Sequence, residues 1–151
     1  SKSKLVKKDI VVLVSQSVEY LRSRMPVNTK FIITMPSQEV LVPINSILFE
    51  WVIENLVRNA VDTMKGKGEI LVSLSEENSH ILINISDTGE GIDRSILKNI
   101  FKPGVTSKKR GWGLGLSLSK RIVEEYHNGS IFVMKSEKGV GTTFTIRLPK
   151  A

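Results

Sequence analysis

Two tightly joined pairs of alternating segments constrain the fold of this 151-residue chain more than any other feature. "GEILVSLS" and "HILINIS" are separated only by "EENS", and apolar residues recur along both with a period near two, so they read as an antiparallel hairpin. "SIFVMKS" and "TTFTIRL" close the chain as a second one. Each hairpin has an apolar face that must be covered, and three segments of helical period are available to cover it. Asp9 caps a helix running to about Met25, with Val11, Val14, Val18, Leu21 and Met25 on one face, and Pro26 ends it. Asn45 or Ser46 caps a long helix over about 46–64, which stops at the glycines of "KGKG". A third helix spans about 114–127, with Leu114, Leu118, Ile122 and Tyr126 at four-residue spacing. "TKFIITM" adds a strand, "VLV" at 40–42 a short partner strand, and a short helix is expected near 93–101. Helices and strands do not strictly alternate. The pattern implies an α+β chain of two layers, a sheet with helices on one face.

Composition excludes several classes of function. There is no cysteine, which rules out disulfides, thiolate catalysis and cysteine-ligated metals. Apolar runs such as "IVVLV" are too short to span a bilayer, and the opening "SKSKLVKK" has no signal-peptide layout. A cytoplasmic setting with no membrane contact by this domain is therefore expected, whether or not a parent protein is membrane-anchored. The net charge of +7 is dispersed, with few interleaved aromatics, which argues against a nucleic-acid surface. Residues 1–8 are expected to be a basic N-terminal extension and 9–151 the single domain.

Four polar features remain. In "RGWGLGLSLSKRI", Gly111, Gly113 and Gly115 are spaced G-x-G-x-G, and Leu116 stands where a dinucleotide fold needs its third glycine. No Gly-Lys-Ser/Thr triplet of a P-loop exists in the chain. The glycines are thus either a hinge before a helix or a close backbone approach to an anion. On the long helix, Asn55, Asn59 and Asp62 form a stripe of poor helix formers, which suits either a polar surface or a hard-oxygen site for Mg²⁺. "SDTGEGI" follows a strand, and Asp87 there either folds a turn or accepts a proton from an exocyclic amine, with Gly89 and Gly91 admitting a flat ring. Strand parity places the Thr142 hydroxyl on the inward face with Phe144, Ile146 and Leu148.

In order, "ENLVRNAVD", "DTGEGI", "FKPGVTSKKRGWGLGLSLSKRI" and "GVGTTFTIRLP" closely resemble the catalytic ATP-binding domain of bacterial sensor histidine kinases, over about residues 9–150. That family lies within the gyrase, heat-shock chaperone, histidine kinase and mismatch-repair ATPase superfamily. The resemblance implies a Bergerat-type two-layer sandwich, a mixed sheet backed by three main helices, with ATP held under a lid. It implies that Asn59 coordinates Mg²⁺ and that Asn55 lines the same face. Asp87 would receive the adenine amino group, helped by Gly89, Gly91, Ile92 and Thr142. Gly111, Gly113, Leu114, Gly115 and Leu116 would form the phosphate end of the lid, and Lys108 would meet the γ-phosphate. Two positions depart from the pattern: Gly104 replaces a second aromatic after Phe101 and Pro103, and Asp62 stands where many histidine kinases carry a basic phosphate contact.

Hydrolytic relatives place a glutamate one turn before the magnesium asparagine, and here that residue is Asn55. Glu54 lies about 140° away around the helix from Asn59. Transfer of the γ-phosphate is therefore expected rather than hydrolysis. Neither His80 nor His127 sits in an acidic helical motif, and both read as ordinary surface or cap residues. The phosphoacceptor histidine is then expected on a separate dimerisation domain upstream in a parent chain, with a response regulator downstream. An anti-sigma-type serine kinase and a module that only senses ATP are the alternatives within the superfamily.

Overall fold

The computed structural model describes residues 4–104 and 112–151. Its elements are β1 (Val6–Asp9), α1 (Ile10–Arg22), β2 (Thr29–Thr34), β3 (Leu41–Ile44), α2 (Ser46–Thr63), β4 (Gly68–Glu76), β5 (His80–Asp87), α3 (Arg94–Leu97), α4 (Trp112–Arg121), a π-helical turn (Ile122–Tyr126), β6 (Ser130–Glu137) and β7 (Gly141–Pro149). The main sheet has the order β2-β4-β5-β7-β6. Its β2–β4 pair is parallel and the others are antiparallel. Both expected hairpins are present, and the sheet is mixed because α2 carries the chain between β2 and its parallel neighbour.

The apolar face of the sheet makes the core. Along β5 every second residue, Ile81, Ile83, Ile85 and Asp87, is buried. Against it, α1 presents Ile10, Val14, Val18 and Leu21, and α2 presents Phe49, Val52, Ile53, Leu56 and Val57. Burying each such side chain contributes about 1.5–3 kcal/mol. The opposite face carries hydroxyls and amides that satisfy one another, as in Thr145 Oγ1 to Asn84 Oδ1 (2.7 Å) and Ser86 to Thr143 (2.7 Å). Both long helices start where the sequence suggests. Asp9 Oδ1 accepts the N–H of Val11, and Asn45 Oδ1 accepts that of Leu48, each at 3.0 Å.

Three details differ from the sequence reading. The strand around "VLV" pairs with β1 and not with β2, in the register Val6↔Ile44 to Asp9↔Leu41. Residues 6–8 of the expected extension are thus part of a two-stranded sheet. The cause lies in Asp9, whose carboxylate also takes the Val40 N–H (3.1 Å) and draws the two segments together. The short helix near 93–101 is helical only over Arg94–Leu97 and continues as turns. Finally, the third helix does not keep four-residue spacing to its end. Leu118 is 40% exposed while Leu116, Ser119, Ile122 and Val123 are buried, and the added residue of the π-turn brings His127 inward beyond them in place of Tyr126. Asn128 at φ 54° and the bond from Gly129 N–H to Val123 O (3.0 Å) close the segment.

Candidate functional site: a cleft along the second helix

Asp87 is the last residue of β5, and parity turns its carboxylate inward. It is 7% exposed. Its Oδ1 accepts the N–H of Gly89 (2.8 Å) and of Thr142 (3.3 Å), so two neighbouring segments aim one carboxylate. The glycines around it are required by close approach. A Cβ at Gly89 would lie 2.5 Å from Thr63 Cγ2, and one at Gly141 would collide with the Asp87 carbonyl oxygen. Gly91 has φ +76°, and a Cβ there would strike the Glu137 carbonyl oxygen. The Ile92 N–H is held by Ser136 Oγ (2.8 Å), which also pairs with Thr142 Oγ1 (2.9 Å).

The second half of the site is one ridge of α2. Asn55, Asn59 and Thr63 follow each other at four-residue intervals, spanning about 12 Å along the axis. At the C-terminal end, Thr63 meets Gly89 beside Asp87. At the other end, Asn55 Nδ2 donates to the fully buried Ser119 Oγ (3.1 Å), and the same carboxamide is the first group a Cβ at Gly115 would strike. Between them Asn59 is half-buried, with no side-chain hydrogen bond to any described residue. Asp62, one of the three residues of the expected stripe, lines a shallow cleft with Pro26, Val61, Lys65 and Gly66 on the flank away from Thr63. Thr63 continues the ridge beside it, against Gly89.

This contact makes Gly115 a test of how α4 docks on α2. Gly115→Ala is expected to lower stability by about 1–3 kcal/mol through overpacking. Adding Asn55→Ala should recover most of that loss in urea denaturation; strict additivity of the two changes would exclude the contact.

His127 is neither a surface residue nor a simple cap. It is 2% exposed. Nδ1–H donates to Ile122 O (2.9 Å), Nε2 accepts the Asn45 N–H (3.0 Å), and the ring packs edge-on against Phe49. The imidazole therefore joins the end of the α4 segment to the N-cap of α2. No proton fits on Nε2 while it accepts that N–H. Burial holds the pKa below the usual histidine value of 6.5, only partly offset by the Ile122 carbonyl. A histidine whose folded pKa lies below its unfolded one adds stability above 6.5 that is lost as pH falls through the folded value. Thermal melts of the wild type should show that acid loss. In His127→Gln the dependence should flatten, and an unchanged slope would assign it elsewhere.

The sequence reading's site residues divide into three groups. Asn55, Asn59, Asp87, Gly89, Gly91, Gly115 and Thr142 come together along the cleft, with Ile92 behind it through its N–H. Leu116 is 3% exposed and belongs to the core. Lys108 and Gly111 lie outside the described residues, while Gly113 and Leu114 are placed by backbone alone in the first turns of α4. Sequence reasoning missed Thr63, Ser119, Ser136 and His127. For Thr63 the signal was available, as the next i+4 position after Asn59.

Phe101 holds the segment before the undescribed residues. It packs edge-on against Phe144 (6.1 Å between centroids) with Lys120 Nζ 5.6 Å from its ring. Gly104 adopts φ +80° with open space around it, so its departure from an aromatic matches a backbone that other residues rarely adopt. Glu54 faces the other way. It bonds Arg58 at 2.8 Å and lines a groove with Gln16, Ser17, Tyr20, Leu21 and Glu50 between α1 and α2.

Residues 45–151 match the family model described as histidine kinase-, DNA gyrase B- and HSP90-like ATPase. Sporulation kinase E of Bacillus subtilis is 43% identical over 96 residues, which cover 63% of this chain and 13% of that protein. The signal transduction histidine-protein kinase AtoS of Escherichia coli is 43% identical over 112 residues, 72% of this chain and 18% of that protein. The chain thus spans less than a quarter of the length of these curated relatives. Among solved structures, the catalytic domain of histidine kinase ThkA superposes with a TM-score of 0.84 at 24% identity, covering 98% of this chain and 97% of that one. Full-length ShkA in complex with AMPPNP gives a TM-score of 0.84 at 24% identity, covering all of this chain and 32% of that one. With the cleft lying where the matched region runs, the chain belongs to the histidine kinase-, DNA gyrase B- and HSP90-like ATPase family and is homologous to the sensor histidine kinases.

Proposed function

We propose that this domain binds Mg-ATP along the α2 ridge and donates the γ-phosphate to a histidine on a separate dimerisation and phosphoacceptor domain, for relay to a response regulator. The single observation that carries the reading is the layout of the ridge. A buried, aimed carboxylate lies at one end, an uncommitted amide in the middle, and a glycine at the start of a helix at the other. Asp87 takes the adenine amino group, and Gly89 and Gly91 let the ring approach the backbone. The phosphates then extend toward Gly115 and α4, whose N-terminal N–H groups favour anions. Lys108 neutralises charge on the γ-phosphate from the segment before α4.

Magnesium fits this donor set. Among the described residues no cluster of three or more His, Asp or Glu side chains forms a protein cage. Asn59 offers one hard oxygen, as suits an ion held chiefly by phosphate and water. Bound there, the ion would neutralise phosphate charge during transfer.

Transfer is favoured over hydrolysis because no described residue at the water-activating position of the cleft is a base. An amide stands at Asn55 and is tied to Ser119, while Glu54 is paired on another flank. Nor does the domain supply its own acceptor at His127, both of whose ring nitrogens are engaged in the interior. Among the described residues no helix is long and apolar enough to cross a membrane. The complex of ThkA with response regulator TrrA, a protein of the same fold, supports a regulator as the downstream partner.

Phosphate release from Mg-ATP separates the two chemistries. The chain alone is expected to turn over ATP negligibly. Adding the parent protein's phosphoacceptor domain should yield an acid-labile phosphohistidine. Rapid steady-state hydrolysis by the chain alone would overturn the kinase reading, and binding without transfer would leave an ATP-sensing module.

A further inference from the structure

Strand β6 reaches the base end of the cleft through an irregularity. Its register against β7 runs Ile131↔Ile146 and Val133↔Phe144, then shifts so that Lys135 faces Thr143 and Ser136 faces Thr142. Met134 is the extra residue, and it is 53% exposed. In an unbroken strand the inward positions would be 131, 133 and 135, which would point the Lys135 ammonium at the core. The bulge reverses parity beyond Met134 and turns the Ser136 hydroxyl inward instead.

That hydroxyl joins two parts of the cleft through side chains, beside the backbone bond from Gly139 N–H to Glu90 O (2.9 Å). It accepts the Ile92 N–H, fixing the strand-to-helix loop that contains Gly91, and it pairs with Thr142 Oγ1. Thr142 is 5% exposed, and its own N–H is spent on Asp87. The Thr142 side chain therefore depends on Ser136 for its rotamer, and through Thr142 so does part of the frame around Asp87.

We propose that Ser136, delivered by the Met134 bulge, is a specificity-determining positioning residue for the nucleotide base. It holds the Thr142 hydroxyl and the Gly91–Ile92 backbone in the register that selects adenine over guanine. Ser136 touches neither base nor phosphate; it acts through Thr142 and Ile92. The inference rests on the reading of Asp87 as the adenine site.

The test is calorimetric titration of the chain with Mg-ATP and Mg-GTP, in the wild type, Ser136→Ala and Ser136→Thr. Ser136→Ala should weaken ATP about tenfold, as for loss of a bridging hydrogen bond, while GTP changes less than about twofold. Discrimination then narrows by about tenfold, and Ser136→Thr, which keeps the hydroxyl, should restore it. Equal weakening of both nucleotides would mark a merely structural role and overturn the proposal. So would unchanged discrimination in Ser136→Ala. A wild type that does not discriminate at all would instead remove the adenine reading of Asp87 on which the proposal stands.

Discussion

Asp87→Ala is expected to weaken ATP binding by about a hundredfold, the largest effect of any single substitution in this domain. A hydrogen bond to a charged group contributes about 1.5–3 kcal/mol, and the substitution also orphans two buried N–H donors at about 1–3 kcal/mol each. The two N–H groups belong to Gly89 and Thr142, so the frame of the site loosens as its acceptor disappears. Melting temperature should therefore fall as well. Asp87→Asn separates the two effects. Its amide oxygen still serves Gly89 and Thr142, but its NH₂ presents a donor to the donor of adenine. Stability should stay near the wild type while ATP affinity drops by tens of fold and GTP affinity does not. Equal ATP affinity in the wild type and Asp87→Asn would mean that the base does not meet this carboxylate.

Asn59→Ala should have the opposite signature, removing function while leaving the fold intact or firmer. Asparagine is a poorer helix-interior residue than alanine by about half a kcal/mol, and this one has no hydrogen bond to a described residue that would compensate. A small rise in melting temperature is thus expected, together with loss of the magnesium-dependent part of ATP affinity, about ten- to a hundredfold. Titrations with ATP in EDTA should hardly change. If the loss were equal with and without Mg²⁺, Asn59 would contact nucleotide and not metal.

These effects sit at places where local sequence preference and fold disagree, and that explains what could be read beforehand. The hairpins and the two long helices were legible because period, cap and breaker agree, as at Asp9, Asn45 and Pro26. The Asn55–Asn59 pair was legible for the contrary reason, two poor helix formers on one face. What escaped reading depends on events several residues away. Pairing of β1 with β3 follows from one carboxylate, that of Asp9, bonding across 31 positions. The inward turn of Ser136 follows from a bulge at Met134, and the burial of His127 from a π-turn. Each inserts one residue into a regular period, and periodicity arguments fail beyond such an insertion. Thr63 continues the Asn55–Asn59 ridge at the next i+4 position. Asp62 lies one position away, but about 100° around the helix.

The location of the nucleotide is the central claim, and amide chemical shifts of the labelled chain during titration with Mg-AMPPNP test it most directly. The largest changes are predicted at Asn59, Thr63, Asp87, Gly89 and Thr142, with the α1–α2 groove around Tyr20 and Glu54 unmoved. Changes concentrated in that groove, with Asp87 and Gly89 still, would contradict it.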